Sequence, residues 1–332
     1  MLMQWIRRCV SCLAVACIMV VAVPQVHAVG FVIIPTFDVS IGNDPNAAAI
    51  ENAINAAIAI YESTFTNPIN VPITFKEGGG LGSSSFSLFD VPYLSFSTSL
   101  HADATSADDA TAIAHNPISS TNPVTGTNDI LMKCATIDAV FGAGSSGCAS
   151  DGTITLNTSL TTPGSSGSSL AYRLQVVAEH EIDEILGLGS TLGLGLSGSC
   201  GSPPHPCSNV PSPEDLFRYT AAGARTFTTS SSVQAFFSID GSTDIARFDN
   251  QNDGGDFGDW QSNPLPAGVV PQVQDAFATP GANPALGAEI RALDVIGYTL
   301  TSPIPEPGSV ALVACGLGLL IIAKRRTHRG RN

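Results

Sequence analysis

Residues 174–187 read LQVVAEHEIDEILG. His180 and Glu184 stand four residues apart, a spacing that in a helix puts both on one face, where they can ligate a single ion. Glu181, beside the first ligand, points slightly aside and reaches a water on that ion. This is the arithmetic of the H-E-x-x-H helix, in which the glutamate takes a proton from the attacking water. A carboxylate in place of the second imidazole is admissible, since zinc accepts Asp or Glu oxygen at about 2.0–2.2 Å, but it makes the water less acidic. Taken alone, H-E-x-x-E also describes a charged quartet on a solvated helix. Two features favour the ion. The charges sit between apolar LQVVA and ILGLG, where unpaired groups would be expensive, and Gly187 lets the chain turn sharply just after Glu184.

The elements that must hold this helix are legible upstream. Phe31–Ile34 is an apolar run expected to form a buried strand. Asp44 as cap and Pro45 as first residue predict a helix with Ile50, Ile54, Ile58 and Tyr61 at helical spacing. Val71, Ile73 and Phe75 alternate as a second strand returning beside the first, a crossover unit. The Gly/Ser-rich text 78–87 reads as loop, and 98–117 holds one or two short helices. Ile154 and Leu156 alternate in a strand expected at the sheet edge nearest the site. The H-E-x-x-E helix itself shows a stripe of Leu170, Leu174, Val177 and Ile185, stopped by Gly187 and Gly189. Beyond it the chain is loop-rich, without internal repeat or linker. The expected fold is α+β: a mixed twisted sheet, a long N-terminal helix, a site helix and a loop-rich C-terminal lobe.

The ends read differently. Residues 1–28 place Arg7 and Arg8 before an apolar run, then Pro24 and the small residues Val26 and Ala28, which is the pattern of a removable export signal. At the other end come Pro305-Glu306-Pro307, an apolar run from Val310 to Ala323, and a basic cluster from Lys324 to Arg331. The run is short beside the roughly 17–25 residues of a permanent span. These three parts resemble the PEP-CTERM sorting tail of Gram-negative bacteria. That resemblance implies cutting by a membrane exosortase near residues 305–307 and release or transfer to the cell surface or extracellular matrix; retention as a plain anchor is the alternative. Signal peptidase and the exosortase are then expected partners, with the membrane engaged only transiently.

Between the ends, residues 29–304 carry 7 Lys and Arg against 27 Asp and Glu, a net charge of −20. Such a body is not expected to bind nucleic acid, which wants basic stripes. Of the 8 cysteines, four lie in the body: Cys134, Cys148, Cys200 and Cys207. An even number in an exported chain suggests disulfides, with the local pairs Cys134–Cys148 and Cys200–Cys207 favoured over a zinc knuckle, whose two-residue spacing is missing.

The opening strand and helix, HEIDEILG, DLFRY, SIDG, GDFGDW and the closing LDVIGY together resemble zincin-like metalloproteases found with PEP-CTERM tails, and more distantly the metzincins. A metzincin would place its third ligand where this chain has Ser190. The resemblance to the aspzincin arrangement makes Asp215 the first candidate for that ligand, with Tyr219 to steady an oxyanion. His205, held in the Cys200–Cys207 loop, is the second candidate and Glu214 the third. The alternative for Asp215 is a helix cap or an ion pair with Arg218. His101 and His115 lie in polar text and are read as solvated. A second cation, calcium, is considered at Asp249, Asp253, Asp256 and Asp259; Trp260 stands where an EF-hand needs glutamate, and an acidic surface turn is the alternative.

Two functions are therefore expected to compete. One is an exported zinc endopeptidase acting on proteins or peptides, with His180, Glu184 and Asp215 on the metal and Glu181 as general base. The other is a noncatalytic surface or matrix-binding protein of the same shape, holding calcium alone.

Overall fold

The computed structural model describes residues 30–164 and 171–301. The export signal, Leu170 and the sorting tail lie outside the described residues. Among those described, no helix is long and apolar enough to cross a membrane.

Strand β1 (Val32–Phe37) and β2 (Asn70–Glu77) run parallel, Val32 opposite Asn70 and Phe37 opposite Phe75. Parallel neighbours require a long crossover, here α1 (Ala47–Thr64), whose Ile50, Ile54, Ile58 and Tyr61 are buried as their spacing predicts. The helix begins later than Asp44. Asp44 Oδ1 accepts the Asn46 amide at 2.6 Å, so Asp44 and Pro45 shape the preceding turn. The first strand is also not buried on both faces. Phe31 and Ile33 are in the core, but β1 is an outer strand of the sheet and leaves Val32 37% and Ile34 44% exposed.

The sheet order is β1-β2-β6-β3, with β3 spanning Gly82–Ser85 and β6 Gly152–Leu156. β6 lies parallel to β2 and antiparallel to β3. The strand expected at the edge is thus interior, and the edge is built from Gly/Ser text expected to be loop. A hairpin-like pair, β4 (Leu88–Pro92) and β5 (Asp129–Lys133), flanks helices α2 (Tyr93–Asp103) and α3 (Ala107–His115). Helix α4 (Cys134–Phe141) follows β5 directly.

Helix α5 (Leu174–Leu186) carries the H-E-x-x-E residues and packs on α1, β3 and β6. Leu174, Val177, Ile182 and Ile185 face the core. Its C-terminal end is tightly held: Gly187, at φ 134°, turns the chain, and the Leu186 carbonyl accepts from Tyr298 Oη at 2.7 Å and Thr136 Oγ1 at 2.9 Å. Buried Lys133 donates to the Glu184 and Leu188 carbonyls at 2.6 Å each. The C-terminal half is loop-rich, with a small antiparallel sheet of residues 218–219, 236–237 and 246–247 and a last helix, α6 (Ala288–Val295). Trp260, Phe237, Phe248 and Tyr298 join it to the single main core. The architecture is mixed α and β with several small sheets. Both disulfides join the local pairs, Cys134–Cys148 and Cys200–Cys207.

Candidate metal centre

Helix α5 presents His180 and Glu184 on one face, and the loop of residues 249–260 brings Asp259 to them. His180 Nε2 is 3.9 Å from Glu184 Oε1 and 3.7 Å from Asp259 Oδ2, and the three donor atoms lie within 4.8 Å of one another. Each side chain is also held by a bond to an outer partner. His180 Nδ1 lies 3.0 Å from the Val273 carbonyl, which fixes its proton on Nδ1 and leaves the Nε2 lone pair for a ligand. Glu184 Oε2 accepts from Ser84 Oγ at 2.5 Å, and Asp259 Oδ1 accepts from Gln274 Nε2 at 2.8 Å. Three donors converge, each oriented from behind.

The electrostatics ask for a cation. Burial works against a charged imidazole, yet Asp259, Glu181 and Glu184 together outweigh it and hold His180 at about 10. Burial, with Glu184 and Asp256 adding like charge, pushes the Asp259 carboxyl up. Glu181 is pushed up as well, by burial first and against the pull of His180. Its Oε2 is buried and has no hydrogen-bond partner. Its other oxygen lies against the edge strand: a Cβ at Gly82 would collide with Glu181 Oε1 and come within 2.8 Å of Val177. Glycine at that position is what lets the helix approach β3 so closely.

The donor set fits zinc. One imidazole nitrogen disfavours calcium and magnesium, which take oxygen, and two carboxylates neutralise a divalent charge. Tetrahedral zinc bonds imply donor separations of roughly 3.3 Å, so His180 Nε2 stands about half an ångström too far from each of the two carboxylate oxygens. A cleft of about 240 Å³ runs over the centre, lined by Leu81–Ser84 of the edge strand, by His180, Glu181 and Glu184, and by residues 271–273.

The other expected site residues fall elsewhere. Asp215 is 1% exposed and fully engaged: Oδ1 accepts from Ser190 Oγ at 2.5 Å, and Oδ2 from the Ser212 amide and hydroxyl at 2.9 Å each. The structure thus places Asp259, and not Asp215, beside His180 and Glu184. Asp215 lies within the short 3-10 turn Glu214–Phe217, which Pro213 precedes as its cap residue, and its side chain ties Ser190 and Ser212 to that turn. Arg218 makes no pair with it; Nη1 donates to the Phe257 carbonyl and Nη2 to Asn250 Oδ1. Glu214 Oε2 accepts the Gly189 amide at 2.5 Å. His205 Nε2 lies 2.8 Å from Asp129 Oδ1, outside the cluster. Tyr219 does not line the cleft: its ring packs under the Arg225 guanidinium at 4.9 Å and against Gly241. His101 and His115 are bonded to the Asn116 and Thr111 carbonyls.

The four aspartates considered for calcium do not gather around one point. Asp256 and Asp259 face His180 and Glu184, whereas Asp249 faces Asp253 and Arg218. Among the described residues one further group of three is close enough for an ion, Asp90, Asp129 and Cys200, but the Cys200 sulfur is committed to a disulfide. The sequence marks Asp259 only as a candidate calcium ligand, apart from His180 and Glu184; Ser84, Val273 and Gln274, which orient the three donors, carry no sequence signal. Compared with known protein families, curated proteins and solved structures, the chain finds no match.

Proposed function

We propose that this chain is an exported zinc-dependent endopeptidase of zincin-like fold. The observation that carries the reading is the convergence of His180 Nε2, Glu184 Oε1 and Asp259 Oδ2 beside the unpartnered carboxylate oxygen of Glu181. Zinc bound by these residues would supply Lewis acidity, polarising a carbonyl and lowering the pKa of water. Glu181 Oε2, buried at the cleft floor, accepts the proton of the attacking water and returns it to the leaving amine.

The edge strand supports a polypeptide substrate. β3 is an outer strand paired with β6, and its residues Gly82, Ser83 and Ser84 line the cleft. An extended peptide can add there through main-chain hydrogen bonds, which would lay its backbone across His180 and Glu181. The two disulfides suit an oxidising, exported address, as do the export signal and the PEP-CTERM-like tail read from the sequence, which would make signal peptidase and an exosortase its processing partners.

The test is metal analysis and peptide hydrolysis by the body, residues 29–304, beside Glu181→Gln. One zinc per chain in both proteins, with turnover reduced by about 10²–10⁴ in the variant, is expected. Undiminished turnover in Glu181→Gln would remove Glu181 from the chemistry. A wild-type chain that takes up no zinc would favour the noncatalytic binding protein.

A further inference from the structure

Helix α6 contributes a buried acid that touches none of the three candidate ligands. Glu289 is 1% exposed. Its Oε1 accepts from the Gln274 amide at 3.0 Å and from Trp260 Nε1 at 3.1 Å, and its Oε2 accepts from the Gly287 amide at 2.8 Å. The first of these bonds is the informative one. The Gln274 N–H belongs to the same planar peptide group as the Val273 carbonyl, and in a trans peptide the two point in opposite directions. That carbonyl is the partner of His180 Nδ1 at 3.0 Å. The Gln274 side chain meanwhile holds Asp259 Oδ1, and Trp260 is the residue after Asp259.

We infer that Glu289 is a positioning residue for the metal centre, acting on His180 through the 273–274 peptide as a carboxylate–peptide–histidine relay. The inference rests on the zinc reading above. A carboxylate accepting the peptide N–H polarises the group and makes its carbonyl a better acceptor for Nδ1–H, which raises the basicity of Nε2. Carboxylates bonded directly to a ligating imidazole do this in many metal sites; here one peptide unit is interposed. The same carboxylate pins residues 273–274, whose Val273 carbonyl holds His180 and whose Gln274 side chain holds Asp259, to the start of α6. A purely structural buried acid would serve packing alone and leave metal affinity untouched.

The experiment measures zinc affinity by chelator competition in the wild-type body, Glu289→Gln and Trp260→Phe, with thermal unfolding of each metal-free protein beside it. Glu289→Gln keeps an Oε1 that can accept both bonds but removes the charge, and sets an NH₂ against the Gly287 amide. Its zinc affinity is expected to fall about tenfold, the lower end for loss of an outer partner. Trp260→Phe removes the other bond to Oε1 and spares the relay, so it is expected to lose thermal stability while keeping zinc affinity within about twofold. Should Glu289→Gln not fold, Glu289→Asp answers the same question, because its shorter side chain withdraws the carboxylate from the peptide and must also weaken zinc binding. Unchanged affinity in either Glu289 variant overturns the relay while leaving the zinc site standing. A wild-type body that binds no zinc overturns both.

Discussion

Asp259→Asn separates the observed cluster from the one expected from sequence. Asparagine keeps an oxygen for Gln274 Nε2 but turns an NH₂ donor toward His180 Nε2, where Asp259 Oδ2 now stands 3.7 Å away. One of three donors becomes a repulsive group, so zinc affinity should fall at least a hundredfold, the upper end of what losing even an outer partner costs. At free zinc 1,000 times the wild-type dissociation constant, binding stabilises the fold by about 4 kcal/mol. For a body of this size that raises the unfolding midpoint by roughly 8–16 °C. A hundredfold weaker site leaves about 1.4 kcal/mol, or roughly 3–6 °C, at the same zinc concentration. Asp215→Asn gives the contrast. It opposes donors from Ser190, Ser212 and Thr191, so the metal-free protein should lose about 2–3 kcal/mol, yet the full zinc-induced shift should remain. Thermal scans with and without zinc decide the matter. A full shift in Asp259→Asn together with a lost shift in Asp215→Asn would refute the assignment of Asp259.

Gly82→Ala introduces a Cβ against Glu181 Oε1 and Val177; it should cost about 1–3 kcal/mol and depress kcat by displacing Glu181, with zinc stoichiometry unchanged by metal analysis. Asp151, 5% exposed, is pushed up to about 7 by burial and by Asp138. Its folded pKa lies above the unfolded value, so the folded state binds more protons between pH 4 and 7 and stability falls as pH rises through that window. Asp151→Asn should therefore stabilise the protein by about 4 kcal/mol above pH 7 and by little below pH 4; urea midpoints at pH 4 and 8 that move equally would refute this. Replacing Cys134 and Cys148 together by serine opens a loop with a sequence separation of 14 and should cost about 3 kcal/mol in urea unfolding.

How much of this was legible depends on whether side chains or backbone carry the structure. Helix α1, strand β2 and helix α5 announce themselves through apolar spacing, because each buries one face against the core. β1 misleads for the same reason: an apolar run of four looks buried on both faces, yet Val32 and Ile34 point outward from an outer strand. β3 has almost no side chains to read. Its Gly-Ser-Ser-Ser sequence pairs with β6 through main-chain bonds alone, so no periodicity reveals it, and without β3 the strand at 152–156 looks like the edge. The cleft wall is thus the least legible part of the site.

The third candidate donor shows a different limit. Asp215 and Asp259 are both buried acids downstream of α5, and nothing in their distance along the chain tells them apart. Their neighbours do. Asp215 closes Ser212-Pro-Glu-Asp, an S-x-x-D pattern in which the acid reaches back to the serine amide, and Ser212 N and Oγ indeed donate to it at 2.9 Å each. An acid saturated by its own turn has no lone pairs aimed outward for a metal. Asp259 follows Gly258, where a Cβ would strike the backbone of Gly189 and Ser190. That glycine lets the loop close on the end of α5, and among the described residues the only hydrogen bond to the Asp259 side chain comes from distant Gln274. One carboxylate oxygen is thus free to face His180. A local capping pattern is therefore evidence against ligation, and an acid beside a close-approach glycine is the better candidate.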